Sequence, residues 1–138
     1  MGDSRSLMVS AKLDKLSEIR HFVEETAKFL GLQNAAVQDM CLAVDEAVTN
    51  VILHGYGSEA GELSIEVSQN RGALIVRVCD SAPPFDPTSA PPPNLTAPLK
   101  ERPIGGTGIF LMRKAVDEIV HRVLPTGGNE LTLVKKCT

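Results

Sequence analysis

Eight of the nine prolines lie between Ser81 and Pro103, and this run decides where regular structure can form. Proline has no backbone N–H and its ring blocks a helix interior, so neither a helix nor a central strand crosses the segment. All helices and strands must therefore sit before or after it. An irregular insertion of roughly twenty residues in a compact domain is usually a lid or a linker. A linker needs a domain on each side, and the piece after Pro103 is too short to be one. The reading is a lid, about residues 81–104, on a single domain spanning residues 1–138. A chain of this length buries about two-thirds of its unfolded surface around one core.

Before the lid, the strongest helical signal runs from about Val37 to Leu53. Val37, Met40, Cys41, Val44, Ala47, Val48 and Val51 fall on one stripe, which makes that stripe core. Glu46 and Asn50 stand one turn apart on the opposite face and can reach a common point. Two readings are open for them. One is a solvated polar face; the other is a pair that shares a hard cation, or in which one member orients a nucleophile while the other holds metal. Leu42, Ala43 and Leu53 lie on the same face, so a cover is expected there: a ligand, a lid or a second subunit.

The remaining elements follow from periodicity. Ser6–Ala11 reads as a first strand, and Leu13–Leu30 as a helix closed by Gly31, with Asn34 capping the next helix. Gly55-Tyr56-Gly57-Ser58-Glu59-Ala60 imitates a dinucleotide-binding fingerprint, but it ends a helix and precedes a strand, so it reads as a turn. Glu62–Ser68 alternates strictly and Ala73–Asp80 is more continuously apolar, which together predict an antiparallel hairpin with the second strand deeper. Asp80 then ends a buried strand. Its carboxylate needs a partner, either a ligand N–H or a backbone N–H of the following turn. After the lid, Gly105, Gly106, Thr107 and Gly108 open a short apolar helix, either as an ordinary glycine turn or as a phosphate cradle of backbone N–H groups at the positive helix end. Glu118–Leu124 and Glu130–Lys136 form a second hairpin. This order predicts an α/β (α+β) two-layer sandwich, with a mixed, mainly antiparallel sheet covered on one face by three helices.

Composition removes several function classes. The net charge of −3 offers no basic excess for a phosphate backbone, so no direct nucleic-acid partner is expected. No apolar run reaches the length of a membrane span and no signal-peptide pattern opens the chain, which predicts a cytoplasmic protein without membrane contact. Cys41, Cys79 and Cys137 are odd in number and widely spaced, fitting neither a disulfide framework nor a zinc site. Cys41 and Cys79 read as small buried hydrophobes.

Three motifs occur in a fixed order: Glu46-x-x-x-Asn50 on a helix, Asp80-x-x-x-Pro84-Phe85-Asp86-Pro87 after a strand, and Gly105-Gly106-Thr107-Gly108-Ile109-Phe110-Leu111 opening a helix. In this order the chain resembles the Bergerat-type ATP-binding fold shared by gyrase B, Hsp90, histidine kinases and MutL. Through Asp45-Glu46-Ala47-Val48-Thr49-Asn50, His54-Gly55 and Phe85-Asp86-Pro87 it resembles, within that superfamily, the anti-sigma factor serine/threonine kinases of the RsbW and SpoIIAB type. The resemblance implies Glu46 as general base and Asn50 as magnesium ligand. It implies Asp80 as the carboxylate that accepts the adenine amino group, with Phe85 beside it. Gly105, Gly106, Thr107 and Gly108 are implied as the phosphate loop, and residues 81–104 as the ATP lid. ATP and Mg2+ are the implied cofactors, a sigma factor and a STAS-type anti-anti-sigma antagonist the implied partners, and a homodimer the implied assembly. The implied function is transcription regulation by phosphorylating that antagonist; the alternative is a nucleotide-binding partner switch without phosphotransfer. One position departs from the family pattern. Ala82 stands where a glycine is usual, and its methyl is expected to crowd the adenine edge or stiffen the turn, weakening nucleotide binding or leaving it unchanged.

Overall fold

The computed structural model describes residues 3–32, 35–89 and 106–137. Their strands are β1 (Ser4–Ser10), β2 (Glu62–Asn70), β3 (Ala73–Asp80), β4 (Glu118–Val123) and β5 (Asn129–Lys136). They form one sheet in the order β1-β2-β3-β5-β4, and every neighbouring pair is antiparallel. Helices α1 (Leu16–Phe29), α2 (Ala35–Asn50) and α3 (Gly106–Ala115) complete the fold. The two-layer architecture is the one the element order implies, with the sheet more uniformly antiparallel than the mixed arrangement expected.

Alternation along the strands decides which face is core. On β3, Leu74, Val76, Val78 and Asp80 are buried while the residues between them are half-exposed; on β5, Asn129, Leu131 and Leu133 are buried in the same rhythm. These inward rows meet the helices: α1 packs on β1 and β2, α2 on β3 and β5, and α3 lies along α2. Met40, Val44 and Val48 of α2 join Ile65, Val76 and Leu133 of the sheet in one buried cluster. Among the described residues no helix covers the outward face of the sheet, as is common for one face of an antiparallel sheet. Cys79 falls on this outward side and is half-buried, correcting the expectation of a buried hydrophobe; Cys41 is buried as expected.

Local chemistry explains the element ends. Helix α1 begins after a short 3-10 turn (Leu13–Lys15) and stops at Gly31, whose φ of +82° is the left-handed conformation a glycine adopts freely. Leu32 N–H then donates to Ala27 O at 2.8 Å and Gly31 N–H to Lys28 O at 3.0 Å, the paired bonds of a Schellman cap. Asn34, the expected cap of α2, lies outside the described residues. Helix α2 was expected to run to about Leu53, but its regular part ends at Asn50. Val51–Gly55 widens into a π-helical turn closed by Tyr56 N–H donating to Val51 O at 2.8 Å. On the face shared with Glu46 and Asn50, Ala43 is fully buried. Leu42 and Leu53 remain 42% and 38% exposed, so the cover expected over all three extends to Ala43 alone among the described residues.

Candidate functional site

The last residue of α2, the last residue of β3 and the first residue of β5 meet at one end of the sandwich. The side chains of Asp80 and Asn129 point to the helix side of the sheet, and Asn50 is buried against it. Asp80 and Asn129 are direct cross-strand partners in the β3–β5 ladder, so their side chains leave the sheet together. Gly128 makes that approach possible: a Cβ there would overlap the backbone carbonyl oxygen of Asp80. With Asn50 and Phe85 they line a small cavity, also bounded by Gly55 and His121.

Asp80 is 7% exposed and accepts two hydrogen bonds through one oxygen. Ala82 N–H and Asn129 Nδ2 each donate to its Oδ1 at 2.9 Å. The backbone N–H of the following turn is therefore one partner and the Asn129 amide another, and no hydrogen bond to Oδ2 is seen among the described residues. Asn50 is 6% exposed, and its Nδ2 is buried with no hydrogen-bond partner among the described residues. An unpaired buried amide costs about 1–3 kcal/mol. A ligand at this point relieves that cost.

Glu46 sits one turn earlier on α2 and is half-buried. Burial, and secondarily the charge of neighbouring Asp45, push its carboxyl pKa above the usual glutamate range. A raised carboxyl is a better proton acceptor near neutral pH. Asp45 is held from the other side by Arg20 of α1, an ion pair that fixes α1 against α2.

Gly106, Thr107 and Gly108 form the first turn of α3, and Gly105 lies outside the described residues. The expected lid is described only over 81–89; residues 90–104 lie outside. Within the described part, Phe85 is half-buried over the cavity, its ring 6.5 Å from that of His54. Asp86 Oδ1 accepts from Thr88 N–H at 2.9 Å and closes a turn of the kind aspartate favours. Arg113 of α3 donates to Thr88 O at 2.7 Å. Ala82 is fully buried, and a Cβ added to Gly55 would stand 3.3 Å from its methyl. That methyl faces Gly55, which bounds the cavity, and Ala82 itself is not among the lining residues.

Asn129 and His121 escaped the sequence reading. Asn129 Nδ2 also donates to Pro83 O at 3.1 Å and Ala82 O at 3.3 Å, while its Oδ1 accepts from Phe85 N–H at 2.9 Å and meets His121 Nε2 at 2.8 Å. The only sequence signal was a polar residue at an inward position of a strand, and it becomes visible only once the β3–β5 register is known.

The donor set fits magnesium better than an all-protein metal site. Among the described residues no three His, Cys, Asp or Glu side chains converge to hold a metal. Magnesium favours one or two protein oxygens completed by phosphate and water, and the Asn50 amide offers one such neutral oxygen. Among the described residues, no helix is long and apolar enough to cross a membrane.

Comparison with known proteins gives a consistent picture. Residues 9–135 match the family described as histidine kinase-like ATPase domain. Proteins named serine-protein kinase RsbW from Bacillus cereus, Bacillus anthracis and Bacillus thuringiensis are 26% identical over 117 residues, covering 82% of this chain and 73% of theirs. Among solved structures, the RsbU and RsbW domains of Rv1364c from Mycobacterium tuberculosis align with a TM-score of 0.68 at 17% identity. The alignment covers 97% of this chain and 32% of that longer one, a likeness of fold.

Proposed function

Because the chain belongs to the histidine kinase-like ATPase domain family, we propose that it is an ATP- and magnesium-dependent serine/threonine protein kinase. Its substrate is a small STAS-type anti-anti-sigma antagonist, and as a homodimer in the cytoplasm it sequesters a sigma factor when not so engaged. The observation that carries the nucleotide part is the pairing, around one cavity, of an Asp80 oxygen and an Asn50 amide nitrogen that have no hydrogen-bond partner among the described residues. The kinase part draws on the similarity to serine-protein kinases and on Glu46 one turn from Asn50.

The chain's own groups divide the work. Asp80 Oδ2 accepts from the amino group of the base, with Phe85 against the ring. Asn50 would hold the cation, which would offset the charge of the phosphates. The first turn of α3, Gly106 to Gly108, presents backbone N–H groups to the phosphates, and Gly105 precedes it in the sequence. Glu46 takes the proton from the acceptor hydroxyl as that oxygen bonds to the γ-phosphorus and the bond to the ADP oxygen breaks. Positioning and charge neutralisation supply most of the rate in such transfers.

Incubation with labelled ATP, magnesium and the cognate antagonist tests the reading. Label on the antagonist, lost in Glu46→Ala while ATP binding persists, supports it. ATP and partner binding without transfer favours the partner-switch alternative. Calorimetry on the wild type and Asp80→Asn tests the nucleotide part, with binding expected in the first and not the second; silence from both overturns it.

A further inference from the structure

Glu46 can take a proton only from a hydroxyl brought within hydrogen-bond reach, so the surface around it is where an acceptor must stand. That surface is the outer strip of α2 and of the π-helical turn that continues it. Leu42, Glu46, Thr49 and Leu53 stand at positions i, i+4, i+7 and i+11, the repeat of one helix face. None of the four is buried, and the row from Leu42 to Leu53 is roughly 16 Å long. Neither leucine lines the nucleotide cavity, so the strip is a neighbour of that site and not a part of it.

The charges beside the strip are taken up by the fold itself. On the α1 side Asp45 is paired with Arg20, and Gln38 Nε2 donates to Glu24 Oε2 at 3.3 Å. Toward the start of α2, Asp39 is paired with Lys135 of β5 at 3.4 Å. What the strip offers a visitor is therefore Glu46 between two leucines, one a turn before it and the other two turns after. A single exposed leucine is ordinary. Two on one line, with the proton acceptor between them, form a surface that holds a partner on both sides of the reacting hydroxyl. A second copy of this chain seated there would shut Glu46 off from any acceptor, so the acceptor protein is the occupant the position favours.

We propose that this strip is the docking surface for the protein that carries the acceptor hydroxyl, with Leu42 and Leu53 as its two apolar anchors. The partner it fits is apolar on both sides of its serine or threonine, over a patch of roughly the same length as the strip. Docking there brings the hydroxyl to Glu46 from outside, while the nucleotide occupies the cavity behind Asn50. The assignment rests on the kinase reading above and adds to it the residues that select the acceptor.

The test follows transfer from labelled ATP to the cognate antagonist at varied antagonist and at varied ATP. It uses the full-length wild type, Leu42→Gln, Leu53→Gln and a control, Val120→Thr, at an exposed position on the other side of the sheet. Leu42 and Leu53 have 42% and 38% of their surface left to bury. Each glutamine variant is therefore expected to raise the antagonist KM by about 3- to 10-fold, with kcat and the ATP KM within about twofold of wild type. Val120→Thr should change none of the three. Leu42→Ala and Leu53→Ala should shift the antagonist KM in the same direction, and they replace any glutamine variant that does not fold. An unchanged antagonist KM in both leucine variants overturns the assignment while the kinase reading stands. An equal rise in the ATP KM also overturns it, by making the strip part of nucleotide closure, as does a change of molecular mass by light scattering, which would give the strip to a second copy. If the wild type binds ATP but transfers nothing to a verified antagonist, the kinase reading fails and the docking assignment with it.

Discussion

Glu46 combines two demands that pull apart. Its carboxyl pKa is raised by burial, so the folded protein holds its proton more tightly than the unfolded chain does. The stability this contributes is fully present below the ordinary glutamate pKa of about 4.3 and is lost as pH rises through the raised folded value. Around neutral pH the ionised group therefore weighs against folding. Glu46→Gln is expected to melt higher than the wild type near neutrality, with the gap closing on acidification, as pH-dependent thermal melts would read. The same substitution should cut phosphotransfer by on the order of 10²- to 10⁴-fold while leaving ATP affinity nearly unchanged. In the wild type, transfer should fail on acidification at a higher pH than an ordinary glutamate would dictate. Glu46, Asn50 and Asp80 stood out as candidates because their order and spacing along the chain carry the family resemblance, and of the three Asn50 and Asp80 line the cavity. Asn129 was not: its key partner Asp80 is 49 positions away, and only strand pairing brings them together.

At the scale of elements, the junction of β3 and β5 sets the shape of the site. Gly128→Ala would drive a methyl into the Asp80 carbonyl oxygen, and backbone there cannot step aside cheaply. The expected cost is about 1–3 kcal/mol by urea denaturation, with ATP affinity falling as Asp80 and Asn129 separate. The α1–α2 contact is a milder case. Arg20 is 46% exposed and Asp45 23%, so Arg20→Ala is expected to cost only about 1 kcal/mol, and less in high salt. Helices and hairpins were readable from apolar spacing and turn residues. The π-helical turn after Asn50 was not, because an α turn and a π turn draw on the same apolar stripe and differ only in which carbonyl closes the ring. Burial of Ala43 was likewise out of reach, since no sequence pattern says which helix lies beside which.

For the whole molecule, ligand binding should report as stability. At ATP concentrations about 100-fold above the dissociation constant, mass action adds about 2.7 kcal/mol to the folded state. In a domain of this size that raises the melting temperature by on the order of 10 °C, and Asp80→Asn should show no such rise. Differential scanning fluorimetry with magnesium and ATP would decide it.

The position of Asp80 and Asn129 at one end of the two central strands has a kinetic corollary. Interior strands are commonly the last to surrender their amide protons, so this end of the pocket should open only with the molecule as a whole. The Phe85 stretch is fastened there chiefly through side chains and has no ladder of its own. Amide-exchange labelling should therefore find a ligand-free state in which the Phe85 stretch breathes while the carboxylate waits, already aligned, on a surface that has not moved.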